Sequence, residues 1–333
     1  MKSEETKSEK RRFATSIRRH ENFVLGLVLA AIITVVAVAS QGKSLTVNNF
    51  RNVLLQSSIR GVASVGQAFC ILTGNFDLSI GGLAAMVSMI GSRLITERPD
   101  IYGIAGGQQP VAVGLLMMIL IATAVGSLNG LAVSRLRMPS LIVTLAVWQM
   151  TKGASYQLAG GYSIMYLPRS LSFFGQGAIL GVPVPVIIFL AVVIPAYIVL
   201  NQTTFGRSVY AAGGNPVAAW LSGIKVRDLQ LIVFVISGFL AAIASIIVLS
   251  RTMCGSMISA AGLELDTVAA CAIGGLSLYG GQGSLIGVVI GVTIIGVLNN
   301  ALVILGVSPA LQDFVKGAVI FSAVAVDVIR RRS

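Results

Sequence analysis

Ten long apolar runs leave this chain few ways to fold. They lie at about 22–40, 51–72, 78–96, 110–134, 139–159, 181–200, 228–250, 263–279, 284–305 and 309–329. Each is near the roughly 20 residues a helix needs to cross a bilayer. Lipid offers the backbone no hydrogen-bond partner, so only helices and closed barrels are stable there. The runs are continuous rather than alternating, which argues against a barrel. Only 11% of the 333 residues are charged, against about 25% in soluble domains. The expected fold is an all-α polytopic membrane protein with about 10 transmembrane helices. The eighth run, 263–279, is glycine-rich and either spans or re-enters.

Charge orients the runs. Residues 1–21 form a basic tail, 22–329 the transmembrane domain and 330–333 a short basic end. The tail is no cleaved signal, because the apolar run after it is long enough to span. With the N-terminus in the cytoplasm, 15 of the 24 Lys and Arg residues fall on the cytoplasmic side, six outside and three within spans. Positive residues collect in cytoplasmic loops, so both termini and the polar segment 201–227 are expected inside. That topology also explains the net charge of +12. No basic patch with interleaved aromatics is present, so nucleic acid is not an expected partner. His20 is the only histidine, and Cys70, Cys254 and Cys271 have no metal-ligand spacing. No metal site and no Ser/His/Asp set are expected.

Two acidic, glycine-bounded breaks follow long runs. One is Gly74-Asn75-Phe76-Asp77-Leu78-Ser79-Ile80-Gly81-Gly82, after the second run. The other is Gly262-Leu263-Glu264-Leu265-Asp266, after the seventh. On the counted topology those runs point in opposite directions. That predicts an inverted repeat relating runs 2–5 to runs 7–10, with broken or re-entrant helices. An intramembrane carboxylate is costly unless it is paired or faces water, so Asp77 marks a pathway. Asp77 and Ser79 are equally good helix caps, and both readings stand at this level. Gly287 and Gly291 offer a small face for close helix packing.

The polar island Thr203-Thr204-Phe205-Gly206-Arg207-Ser208-Val209-Tyr210-Ala211-Ala212-Gly213-Gly214-Asn215-Pro216 carries more specific chemistry than a spacer needs. Gly213-Gly214 suggests a turn. Asn215-Pro216 starts a helix over Val217–Ser222, because proline loses nothing at a first helical position. With Val217-Ala218-Ala219-Trp220-Leu221-Ser222-Gly223-Ile224, the island resembles the cytoplasmic coupling loop of the sugar-type ABC importer permeases, the ribose permease family. Its pattern is close to T-x-x-G-R-x-x-Y-A-x-G-G-N-x-x-A-A-x-x-S-G-I. The break at Asp77 matches a second motif of that family, G-x-x-D-L-S-x-G, with Gly82 where serine is usual. Glu264–Ala270 and Ile273–Ser284 match a third.

The resemblance implies a permease subunit that binds no cofactor and catalyses no covalent step. ATP and Mg would be used by a separate ATPase. Further partners would be an extracytoplasmic sugar-binding protein, a second permease chain and the lipid bilayer of the inner membrane. It assigns ATPase coupling to Thr204, Gly206, Arg207, Gly213, Gly214, Asn215, Ala218, Ala219, Ser222 and Gly223. The translocation-pathway candidates are Asn75, Asp77, Ser79, Gln149, Glu264, Asp266 and Asn299. Trp148, beside Gln149, has a ring that could stack on a sugar.

Other signals fail. Gly42-Lys43-Ser44 leaves a membrane run rather than a strand, so it is no phosphate loop. An ion-coupled carrier using Asp77, Glu264 and Asp266 would leave the island unexplained. A membrane-embedded enzyme would need a catalytic cluster that the sequence does not supply.

Overall fold

A computed structural model describes residues 23–332, with only the helical backbone at 323 and 326–332. The basic tail 1–21, with His20, lies outside the described residues. Thirteen helices run α1 (Phe23–Ala39), α2 (Val47–Leu72), α3 (Ile80–Ile95), α4 (Val111–Ser134), α5 (Ser140–Ala159), α6 (Phe173–Gln176), α7 (Val184–Gln202), α8 (Thr204–Gly214), α9 (Pro216–Leu221), α10 (Val226–Thr252), α11 (Leu263–Ile273), α12 (Leu285–Ile304) and α13 (Pro309–Arg332). The described strands are two residues each, β1 (Ala178–Ile179) and β2 (Val182–Pro183), paired as a hairpin.

Every predicted apolar run contains one helix, but not every helix is a span. Four are long and apolar enough to cross a membrane: α4, α7, α10 and α12. The 11 residues of α11 rise only about 16 Å, which is half a bilayer. The eighth run is thus a half-helix, and its glycine-rich remainder continues as irregular chain to Ser284. The 26-residue α2 begins a turn before its predicted run, because the Thr46 hydroxyl accepts from the Asn49 amide and caps it.

α2 and α10 cross antiparallel. The Cys70 thiol, near the end of α2, reaches the Val233 carbonyl near the start of α10. Packing is mirrored about this pair. α10 packs on α3 and α4, as α2 packs on α11 and α12. α3 packs on α4 and α5, as α11 packs on α12 and α13. The expected inverted repeat therefore relates α2–α5 to α10–α13.

Glycines set the helix spacing. In lipid no hydrophobic force draws helices together, so tight packing has to do it. A Cβ at Gly126 would meet the backbone of Gly238 on α10 at 3.0 Å, and the reverse holds. Gly287 and Gly291 of α12 press on Gly274 and Ala270 at the end of α11. The packing face expected at those two residues is present.

Candidate functional site: a mid-height junction and a polar island

The two breaks place helix starts at mid-height of the bundle. Asp77 precedes α3 and meets Ser237, near the middle of the 27-residue α10. Asp266, in the first turn of α11, meets Arg60, halfway along α2. α3 and α11 then run away from one another, and their starts touch. A Cβ on Gly81 would collide with the Glu264 carboxylate and sit 3.1 Å from the Ala260 carbonyl. Glycine at 81 is thus what lets the Glu264 side chain lie against the first turn of α3.

Asp77 is fully enclosed. One carboxylate oxygen accepts from the Ser79 amide at 3.0 Å and the Ser79 hydroxyl at 2.5 Å. The other accepts from Ser237 at 2.6 Å. Asn129 of α4 donates to the Ser79 hydroxyl at 2.9 Å. Asp77 and Ser79 therefore both turn the chain into α3 and tie it to α4 and α10. A carboxylate with three donors is satisfied without water. Neither the Asp77 nor the Ser79 side chain bonds a first-turn amide of α3, so the expected cap is not formed. Asp77 instead braces the turn before α3, cross-links it to α10 and faces no open space.

Asp266 differs. Its Oδ2 accepts from the Arg60 guanidinium at 2.7 Å and from Asn299 at 3.5 Å. It lines a cavity of about 380 Å³ with Gln56, Arg60, Arg251, Thr252 and Ser259. Its lining comes from the first half of α2 and the last turns of α10, on the side of the bundle away from the island. The Glu264 Oε2 and Asn299 Oδ1 atoms are buried without a partner among the described residues, as are both amide atoms of Gln67. Buried polar atoms of this kind call for water or a ligand.

Asn75 is buried, donates to Thr73, and lines a second cavity of about 450 Å³ at the island end, beside Arg137 and Arg227. Gln149 stands apart from the junction. It is exposed on the outer face of α5, between exposed Leu145 and Met150. Trp148 packs on Gly82, and the Lys152 ammonium lies 4.8 Å from its ring centre. Gln56 and Arg60 of α2, with Ser237 and Arg251 of α10, were absent from the sequence candidates, while Gln67, on the same face of α2, already reads in the sequence as a polar residue inside an apolar run. Arg60 carried a readable signal, a cation inside an apolar run. The others look like ordinary polar residues until the fold gathers them.

The island folds as two helices. Thr203 caps α8 by accepting from the Gly206 amide at 3.2 Å, which places Thr204 first in the helix. Gly206 fits the tight corner against Leu200, and Arg207 is exposed. Asn215 caps α9, accepting from the Val217 and Ala218 amides at 3.1 and 2.9 Å, with Pro216 in the first helical position. α9 ends on Ser222 and on Gly223, whose φ of +85° suits glycine.

Two details differ from the sequence reading. Gly213 and Gly214 complete the last turn of α8 rather than forming a turn, and close approach demands glycine at 213, whereas a Cβ on Gly214 would meet open space. A Cβ on Gly213 would strike the Leu72 carbonyl, and one on Gly281 would lie 2.5 Å from Gly214. The Gly281 amide donates to the Leu72 carbonyl at 3.0 Å, and Tyr210 donates to the Gly283 carbonyl at 3.2 Å. The end of α8 thus meets the chain leaving α2 and the chain leaving α11 at one point. Second, Ala219 is 4% exposed and faces the body of the protein, while Val217, Trp220 and Leu221 are 65–73% exposed. Ala218, Ser222 and Gly223 share that exposed side.

Among the described residues no group of three or more His, Cys, Asp or Glu could hold a metal ion.

Comparison with known proteins shows the family. Residues 49–324 match the family model described as branched-chain amino acid transport system / permease component. The ribose import permease protein RbsC of Bacillus subtilis (strain 168) is 36% identical over 330 residues, 98% of each chain. RbsC of Escherichia coli (strain K12) is 34% identical over 305 residues, 90% of this chain and 92% of that protein. The L-arabinose transport system permease protein AraH of Escherichia coli (strain K12) is 32% identical over 308 residues, 92% and 90%. No solved structure matches.

Proposed function

The chain belongs to the family of branched-chain amino acid transport system permease components, and from that premise we propose that it is the membrane-spanning subunit of an ATP-driven bacterial importer. Its solute is a monosaccharide or similar small polyol, the class carried by the ribose and arabinose permeases it is similar to. It performs no covalent chemistry. A separate ATPase hydrolyses ATP with Mg, a binding protein delivers the solute from outside, and a second permease chain completes the membrane unit. The chain is a multi-pass protein of the cell membrane with about ten crossings and both termini in the cytoplasm.

The observation that carries this reading is the island. Segment 201–227 presents an apolar surface of Val217, Trp220 and Leu221 on a capped helix. That helix follows directly on the junction of Gly213 with Leu72 and Gly281. A partner seated on α9 can therefore push both broken segments at once. They lead to the mid-height starts of α3 and α11, so a displacement at the island reaches the centre through contiguous backbone. Alternating access then needs only two arrangements of these packed pieces, biased by the ATPase.

Capture from membranes tests it. The full chain, solubilised in mild detergent, should co-purify an ATPase identified by mass spectrometry, and Trp220→Glu should lose it. Uptake that survives ATP depletion with the ion gradient intact would instead establish an ion-coupled carrier.

A further inference from the structure

The cavity beside Arg60 holds more positive than negative charge. Arg60 is matched by Asp266 at 2.7 Å. Arg251, in the last turn of α10, lines the same cavity. It is half-buried and has no ion pair among the described residues. Glu264, also in the first turn of α11, does not line the cavity and is turned against Gly81 of α3. A cation at a helix C-terminus is favoured by the helix dipole, which explains why α10 tolerates Arg251 there. It does not explain why that arginine lines a cavity with a second arginine and only one carboxylate.

The remaining lining is suited to hydroxyl groups. Gln56, Thr252 and Ser259 supply donors and acceptors, and Ile59, Val248 and Leu263 supply apolar wall. The volume of about 380 Å³ falls in the range of small-molecule sites, about 300–1,000 Å³.

We propose that this cavity receives one monosaccharide-sized acid, its carboxylate paired with Arg251 and its hydroxyls met by Gln56, Ser259 and the Arg60–Asp266 pair. The inference rests on the importer reading and names its substrate class. A planar guanidinium binds a carboxylate through two parallel hydrogen bonds. A neutral sugar would leave Arg251 without a counter-charge in a half-buried site, an arrangement that favours the acid. The arginine thus acts as a specificity-determining residue.

The test uses the full chain in lipid nanodiscs and reads thermal denaturation against two probes, D-ribose and D-ribonate, the same carbon skeleton without and with a carboxylate. Half-saturation by ribonate should come at about one-tenth the ribose concentration, the worth of one charge-assisted hydrogen bond. Arg251→Gln should erase that preference, and Arg251→Lys, which keeps the charge, should retain most of it. Equal or tighter binding of ribose overturns the proposal, as does a preference unchanged in Arg251→Gln. A shift that sodium sulfate reproduces shows an unspecific anion effect and also overturns it. No shift with either sugar removes the cavity as a solute site. None of these results bears on ATPase capture, so the importer reading stands or falls separately.

Discussion

The Arg60 guanidinium on α2 donates to the Asp266 carboxylate on α11 at 2.7 Å, across a separation of 206 residues. The pair joins the two halves of the repeat where α11 begins. Each residue alone would be a charge within an apolar segment. Together they neutralise one another while Asp266 still borders a cavity. The bond is thus both a tie between the halves and part of a cavity wall.

Removing one partner leaves the other charge stranded. Asp266→Ala should destabilise the detergent-solubilised protein, by less than the about 3–5 kcal/mol that breaking a fully buried ion pair costs, because the pair borders a cavity and Arg60 is partly exposed. The exchange of Arg60→Asp with Asp266→Arg should recover part of that loss. Chemical denaturation followed by tryptophan fluorescence reads both. If Asp266→Ala unfolds at the wild-type denaturant concentration, the pair contributes no stability.

The junction at α8 predicts a transport defect without a folding defect at the far end. Gly213→Ala places a methyl group on the Leu72 carbonyl, and neither backbone can yield without shifting a helix. ATP-dependent uptake in whole cells should fall at least about tenfold, as expected where packed contacts carry a conformational step. Membrane content of the protein should fall far less. Normal uptake by Gly213→Ala would show that the island moves independently of α2.

Trp220 is 67% exposed, so its replacement should leave stability within about 0.5 kcal/mol. Trp220→Glu should nevertheless abolish ATPase co-purification, because it sets a charge in the centre of an apolar contact. Ala219→Arg acts differently. Ala219 faces inward, and that change should lower the melting temperature as well as coupling. A pair of thermal scans separates the two effects.

Asp77 is predicted to matter first through its bonds. A double-mutant cycle of Asp77→Asn and Ser237→Ala should give a coupling energy of about 1–3 kcal/mol, the range for contacting groups in one network. Stability curves for the four proteins supply it. Strict additivity would mean that the 2.6 Å contact contributes no net energy.

Much of the architecture could be read before any coordinates. Continuous apolar runs located the helices, since a backbone in lipid must bond to itself. Asn215-Pro216 announced α9, because capping is a local interaction between a side chain and amides two and three residues on. Glycine-bounded breaks at 74–82 and 262–266 announced half-helices. The roles of Gly213 and Gly214 were less legible. Glycine permits both a turn and a close approach, and only the position of Leu72 shows which is used.

Composition and local pattern determined that this chain would be a bundle of apolar helices with two interruptions and a specific polar island. These features depend on the solvent around the backbone and on neighbours within a few residues. The tertiary structure decided what the interruptions face. It enclosed Asp77 among three donors, opened Asp266 to a cavity, turned Gln149 outward and brought Arg251 to the cavity that Arg60 lines. Those outcomes rest on contacts between residues up to about two hundred positions apart. No local pattern encodes them, because the distance between two side chains is fixed only when the helices that carry them have packed.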